Sequence, residues 1–150
     1  MSLLNYYRQS YEYEKDCNQK MLGMLESVPE ANRTDPRFQR AVTLADHLLI
    51  GREKWLDYMA GSGKNQIPWW NETCELVTLR PRFAELESRW TEYLASLDEE
   101  NLAGNFNFPV SETEQFSIPI EVQLVQLIGH APYHRGQVAL LVDMLGGEVV

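Results

Sequence analysis

Paired cysteines, basic clusters and long apolar runs are all scarce in this 150-residue chain, and each scarcity narrows what the protein does. Only Cys17 and Cys74 are present, far apart and outside any Cys-x-x-Cys pair. Neither a disulfide framework nor a thiolate zinc site is indicated, and both are expected to be ordinary core thiols. Thirteen Lys and Arg stand against 22 Asp and Glu, a formal charge of -9, with no basic cluster longer than a residue or two. Nucleic-acid binding rests on basic surface and counterion release, so such partners are disfavoured. The same acidity argues against docking on an anionic membrane. No apolar run reaches the length that spans a bilayer, and MSLLNYYRQSYEYEKD carries charges where a signal peptide has its apolar core. The expectation is a cytoplasmic protein.

What is present suits a packed fold. Hydrophobic residues make up 44% of the chain and aromatics 11%, including four Trp and seven Tyr, enough for one core. A single domain over residues 1–150 is expected. From Leu3 to Val28, residues Leu4, Tyr7, Tyr11, Met21, Leu25 and Val28 recur at helical steps, and Pro29 closes the segment. Glu14 and Asn18 fall on this apolar stripe, either solvated at the helix edge or drawn to an interior polar site. Thr34-Asp35-Pro36 reads as a second helix start, and Gly61-Ser62-Gly63 as its end. Leu76, Leu79, Phe83, Leu86, Trp90, Tyr93 and Leu97 form a third helical stripe, which either kinks at Pro81 or begins close to it. Between Asp98 and Ile118 the period changes: Phe106, Phe108, Phe116 and Ile118 alternate with polar residues. That predicts a short hairpin or a packed loop, serving as a rim over a site or as a connection between helices. Ser117 with Pro119 resembles a further helix start, and the stripe Leu124, Leu127, Ala131, His134, Val138, Leu141 and Leu145 runs to Gly146-Gly147. Four such stripes predict an all-α four-helix bundle.

Histidine is also rare, and its placement carries the chemistry. Two of the three lie four residues apart in His130-Ala131-Pro132-Tyr133-His134, which puts both imidazoles on one helical face. Two such rings can bite a single ion, and His47, mid-helix in a row with Leu44, Gly51, Trp55 and Tyr58, is the only remaining histidine able to supply a third ligand. Neutral imidazoles on an apolar stripe would leave nitrogens without partners, and a divalent ion removes that cost. Three protein ligands leave a coordination position open, as in catalytic sites, where water loses a proton near neutral pH or a thiolate or carbonyl binds instead. Zinc and nickel suit the ligands best, with iron and manganese as further candidates.

The surroundings of the pair refine this reading. A metalloprotease His-Glu-x-x-His helix would carry its general base at position 131, where this chain has Ala131. Pro132 frees the carbonyl of Ile128 and bends the helix. Gln137 shares the ligand face, where it can orient a ring or a bound water. Arg135 is turned aside, toward an acidic neighbour in a salt bridge or an anion at the mouth of the site. Tyr133, between the ligands, is placed with Gln137 and Arg135 around the substrate side. Gly136 and Gly51 permit close helix approach.

The stretch HAPYHRGQ, with its following apolar run and Leu145-Gly146-Gly147, resembles the C-terminal helix of the DinB/YfiT-like family. Ala45-Asp46-His47-Leu48-Leu49 through Arg52 and Trp55 is similar to that family's second helix. The resemblance implies a bacterial four-helix bundle with a long crossover, frequently a homodimer, with a divalent metal held by His47, His130 and His134. Relatives include thiol-dependent transferases and isomerases using mycothiol, bacillithiol or glutathione, and others called metal-dependent hydrolases. The family is distinct from the lesion-bypass polymerase of the same name, and the chain lacks the clustered carboxylates that polymerase chemistry needs. Three activities follow as expectations: transfer of a low-molecular-weight thiol to a small-molecule electrophile; hydrolysis, with Glu53 and Gln137 as candidates to assist it; or a non-catalytic, metal-stabilised dimeric sensor or carrier.

Overall fold

The computed structural model describes residues 1–150. Helix α1 covers Leu3–Ser27, α2 Pro36–Ala60, α3 Leu76–Ser96, a single turn α4 Glu99–Leu102, and α5 Ile120–Met144. A 3-10 turn at Glu30–Asn32 links the first two helices. Strands β1 Asn105–Pro109 and β2 Gln115–Pro119 pair antiparallel, with Phe106 opposite Ile118 and Phe108 opposite Phe116. The chain is therefore a helical bundle with a small sheet and not strictly all-α. The hairpin is the expected alternative that formed, because alternation of period two matches a strand and not a helix.

The helix boundaries have local causes. Asp35 accepts from the Arg37 N–H at 2.9 Å and Pro36 occupies the first turn of α2, a position with no hydrogen bond to lose. Helix α5 ends in a Schellman arrangement: Gly146 adopts φ +77, and the amides of Gly146 and Gly147 bond the carbonyls of Asp143 and Val142 at 3.0 and 2.9 Å. Pro81 lies in the second turn of α3, which starts at Leu76, so the helix runs through it. The carbonyl of Val77 that Pro81 cannot serve belongs to an exposed residue and can meet water. Ser117 does not cap α5. It sits in β2 and accepts from the Asn105 amide at 2.9 Å, while Pro119 takes the capping position. The turn α4 escapes a periodicity search because four residues are too short to show a stripe; its Asp98/Asn101 capping box holds it.

Helix α1 packs on α3 and α5, and so does α2, which puts α1 and α2 across a diagonal of the bundle. The fully buried Trp90, Phe83, Met21, Leu22 and Leu49 fill its centre. Cys17 and Cys74 are free and only half-buried, less enclosed than core thiols. The hairpin leans on α2: the Trp55 ring lies 5.2 Å from Phe108 and 6.1 Å from Phe106. No helix is long and apolar enough to cross a membrane.

Candidate metal centre

His47, buried on α2, is fixed by the connection between α2 and α3. Its Nδ1–H donates to the carbonyl of Trp69 at 2.8 Å, and the Trp70 ring stacks flat on it, 3.6 Å away and 3° from parallel. The Arg40 guanidinium covers the far side of this layer, 5.3 Å from the Trp70 ring. The connection is itself tied down from α2. Buried Asp46 accepts from Asn71 at 2.8 Å, and Lys54 donates to the carbonyls of Asn65 and Ile67 at 3.2 and 2.7 Å. Asp46 is held in turn by Arg82 at 2.7 Å.

On α5 the Nδ1–H of His134 donates to the side-chain oxygen of Gln137 at 2.7 Å. Its tautomer is thereby set, with the lone pair left on Nε2. That Nε2 lies 3.0 Å from Nε2 of His130. Ring centroids separate by 4.5 Å for His130 and His134, 4.9 Å for His47 and His134, and 5.5 Å for His47 and His130. One ligand nitrogen from each ring falls within 4.8 Å of the others. Burial, followed by the nearby charges of His134 and His47, pushes His130 down to about 4. Burial also lowers His47, against the opposing pull of the Trp69 bond. Burial thus favours the neutral form of both rings, the form of imidazole that ligates a metal.

The donor set fits a divalent ion. With both Nδ1 protons committed to Trp69 and Gln137, the Nε2 atoms of His47 and His134 are acceptors only, and a proton on His130 can satisfy just one neighbour at a time. A cation at their centre satisfies all three.

A cavity of about 280 Å³ opens beside the histidines, walled by Trp55, Trp69, Leu48 and Leu127, with Glu14, Arg52, Glu87 and Gln126 as its polar points. Both Glu14 and Asn18 are buried, so their place on an apolar stripe reflects an interior polar site. Glu14 receives Nε and Nη2 of Arg52, and Asn18 bridges Arg135 at 3.1 Å and Glu87 at 3.4 Å. Arg135 thus bonds an amide and not an acidic side chain. Tyr133 touches the edge of His134, ring to ring at 5.0 Å, but is 65% exposed and stands outside the cavity. Glu53 is turned to α3, with Arg82 at 3.9 Å, and does not reach the site. No hairpin residue lines the cavity, so the rim expected between Asp98 and Ile118 is formed instead by the connection carrying Trp69.

Periodicity does not single out Arg52, Glu87, Trp69 and Trp70. The loop tryptophans lie in no periodic segment, and the sequence signals for the polar group were the two polar residues on the α1 stripe, Glu14 and Asn18, and the place of Arg52 in the stretch that carries the family resemblance.

Gly51 lines the cavity, and a Cβ built there meets nothing within 4 Å; the same is true of Gly136, which is exposed. Neither serves a close helix approach. Gly51→Ala is accordingly expected to stabilise α2 by roughly 0.5–1 kcal/mol in urea unfolding while narrowing the cavity. Unchanged stability would show that the backbone at this position is not the relaxed helix the structure describes.

A model of the DinB family matches residues 1–150, the whole chain. No curated protein and no solved structure matches it.

Proposed function

The chain belongs to the DinB family, and from that premise we propose that His47, His130 and His134 hold one divalent metal ion with a coordination position open to the cavity, where a low-molecular-weight thiol is transferred to an electrophilic substrate. The observation that carries this reading is the convergence of three imidazoles from two helices, with ligand nitrogens within 4.8 Å, at the end of a partly apolar cavity. When bound, such an ion supplies Lewis acidity that lowers the pKa of a thiol held against it.

The chain's own residues do the rest. Trp69 and Gln137 keep the protons of His47 and His134 on Nδ1, so that Nε2 stays available. Trp70 shields the outer face of His47 from water. Leu48, Trp55 and Leu127 give the cavity a dry wall, where a thiolate is poorly solvated and more nucleophilic. Ala131 faces the cavity at the position where a protease-type helix places its base, which favours thiol chemistry over hydrolysis. Glu53, held toward Arg82, leaves hydrolysis without that base.

Zinc- or nickel-loaded protein, incubated with several cellular thiols and an epoxide or haloalkane, is expected to consume thiol in a metal-dependent way. Hydrolysis of esters without thiol would favour the hydrolase reading. Failure of both, with metal retained and fold lost on chelation, would favour the sensor or carrier.

A homodimer belongs to the same proposal. Val122, Val125, Tyr133, Leu140 and Met144 are exposed on the outer side of α5, spaced by helical steps through Gly129 and Gly136. A helix apolar on both faces has a second surface to cover. Light scattering is expected to return about twice the 17.4 kDa chain mass, and Val125→Glu with Leu140→Glu to return the monomer. A monomeric parent protein would overturn this part.

A further inference from the structure

The formal charges on the cavity wall are those of Glu14, Arg52 and Glu87. Arg52 is already engaged: Nε and Nη2 bond the two carboxylate oxygens of Glu14, and its guanidinium lies 5.0 Å from the Trp90 ring and 5.7 Å from Tyr11. Glu87 has no comparable cation. Its oxygens accept only from the neutral amides of Asn18 and Gln19, both at 3.4 Å, while Lys15, whose charge acts on it, pairs with Glu12 at 2.7 Å. Burial pushes the Glu87 carboxyl up, against the opposing pull of the Asn18 and Gln19 amides and of Lys15. Among the three charged side chains of the wall, Glu87 is therefore the carboxylate left without a cationic partner, and it faces a space walled by the aromatic rings of Tyr11, Trp55 and Trp69, where the Trp69 ring already holds the Lys54 ammonium at 4.9 Å.

From this arrangement we infer that the cavity takes a small organic cation, a protonated amine on an apolar or aromatic body, with Glu87 as its counter-charge. The inference rests on reading the cavity as the substrate chamber of the histidine site, and it names the chemical class admitted there. The ammonium donates to Glu87 and the apolar body lies between the aromatic walls. Gln126, whose side-chain oxygen already accepts from Gln123 at 2.9 Å, keeps its amide donors for an acceptor elsewhere on the ligand.

Benzylammonium, benzyl alcohol and benzoate at pH 7 share a body and differ in charge. Titrated separately into zinc-free protein, where benzoate has no open metal position to occupy, and followed by tryptophan fluorescence and ligand-detected NMR, benzylammonium is expected to bind about tenfold or more tighter than the other two. Glu87→Gln is expected to remove that preference and Glu87→Asp to retain most of it, with the thermal midpoint of each variant confirming its fold. Equal binding of the three, preference for benzoate, no saturable binding, or an ammonium preference that survives Glu87→Gln would each overturn the inference. Zinc retention is measured on a zinc-loaded portion of each preparation. Zinc retained without ammonium preference sinks this inference alone, and ammonium preference without zinc retention sinks the metal reading alone.

Discussion

His134→Ala is expected to abolish metal binding, while protein purified without an affinity tag carries about one divalent ion per chain by elemental analysis. The effect is large because His134 is the hinge of the cluster: its Nε2 approaches His130 at 3.0 Å and its ring edge lies against His47. Removing it leaves two imidazoles from different helices, too few for an ion with one open position. The same analysis identifies the metal, which imidazole ligands alone leave to availability in the cell. Metal that binds only the folded state raises stability by about 2.7 kcal/mol at a hundredfold excess over Kd, or roughly 5–10 °C in midpoint for a chain of this size. Chelation is expected to lower the parent midpoint by that amount and leave His134→Ala unmoved. Gln137→Leu supplies the graded case. Losing the acceptor for the Nδ1–H of His134 is expected to weaken metal affinity about 10–100-fold without abolishing it. Full occupancy in His134→Ala would refute the site.

The histidine cluster was legible because helical periodicity is a local property. His130 and His134 one turn apart must share a face, and the row through Gly51 and Trp55 turned His47 inward, so the three histidines that the fold brings together could be named. Contacts that close over long sequence separations left no comparable trace. Trp69 and Trp70 lie in a stretch from Gly61 to Glu75 with no repeat, and only the folded chain shows that one supplies a carbonyl and the other a ring to His47. Arg135 misled for a related reason. Net acidity made a carboxylate partner the natural expectation, whereas the residue across from it is Asn18, an amide. The hairpin was readable as two alternating segments, but its position against Trp55, with none of its own residues lining the cavity, is a matter of packing.

Arg52→Ala is expected to destabilise the fold by about 3–5 kcal/mol in urea unfolding, the largest effect outside the metal ligands. Both members of its pair are buried, and the alanine variant would strand the Glu14 carboxylate beside Tyr11 without a cation. The backbone here is also braced, since the Trp90 indole donates to the Arg52 carbonyl at 3.0 Å, so relaxation around a broken pair is limited. Well-packed apolar replacements remove both desolvation costs at once. Glu14→Leu with Arg52→Met is therefore expected to recover most of the loss, even though each partner's single variant is severe. That recovery separates two roles of the pair. Restored stability with thiol transfer still lost would place Glu14 and Arg52 among the residues that shape the cavity for its ligand, whereas full activity in the double variant would confine them to holding α1 against α2.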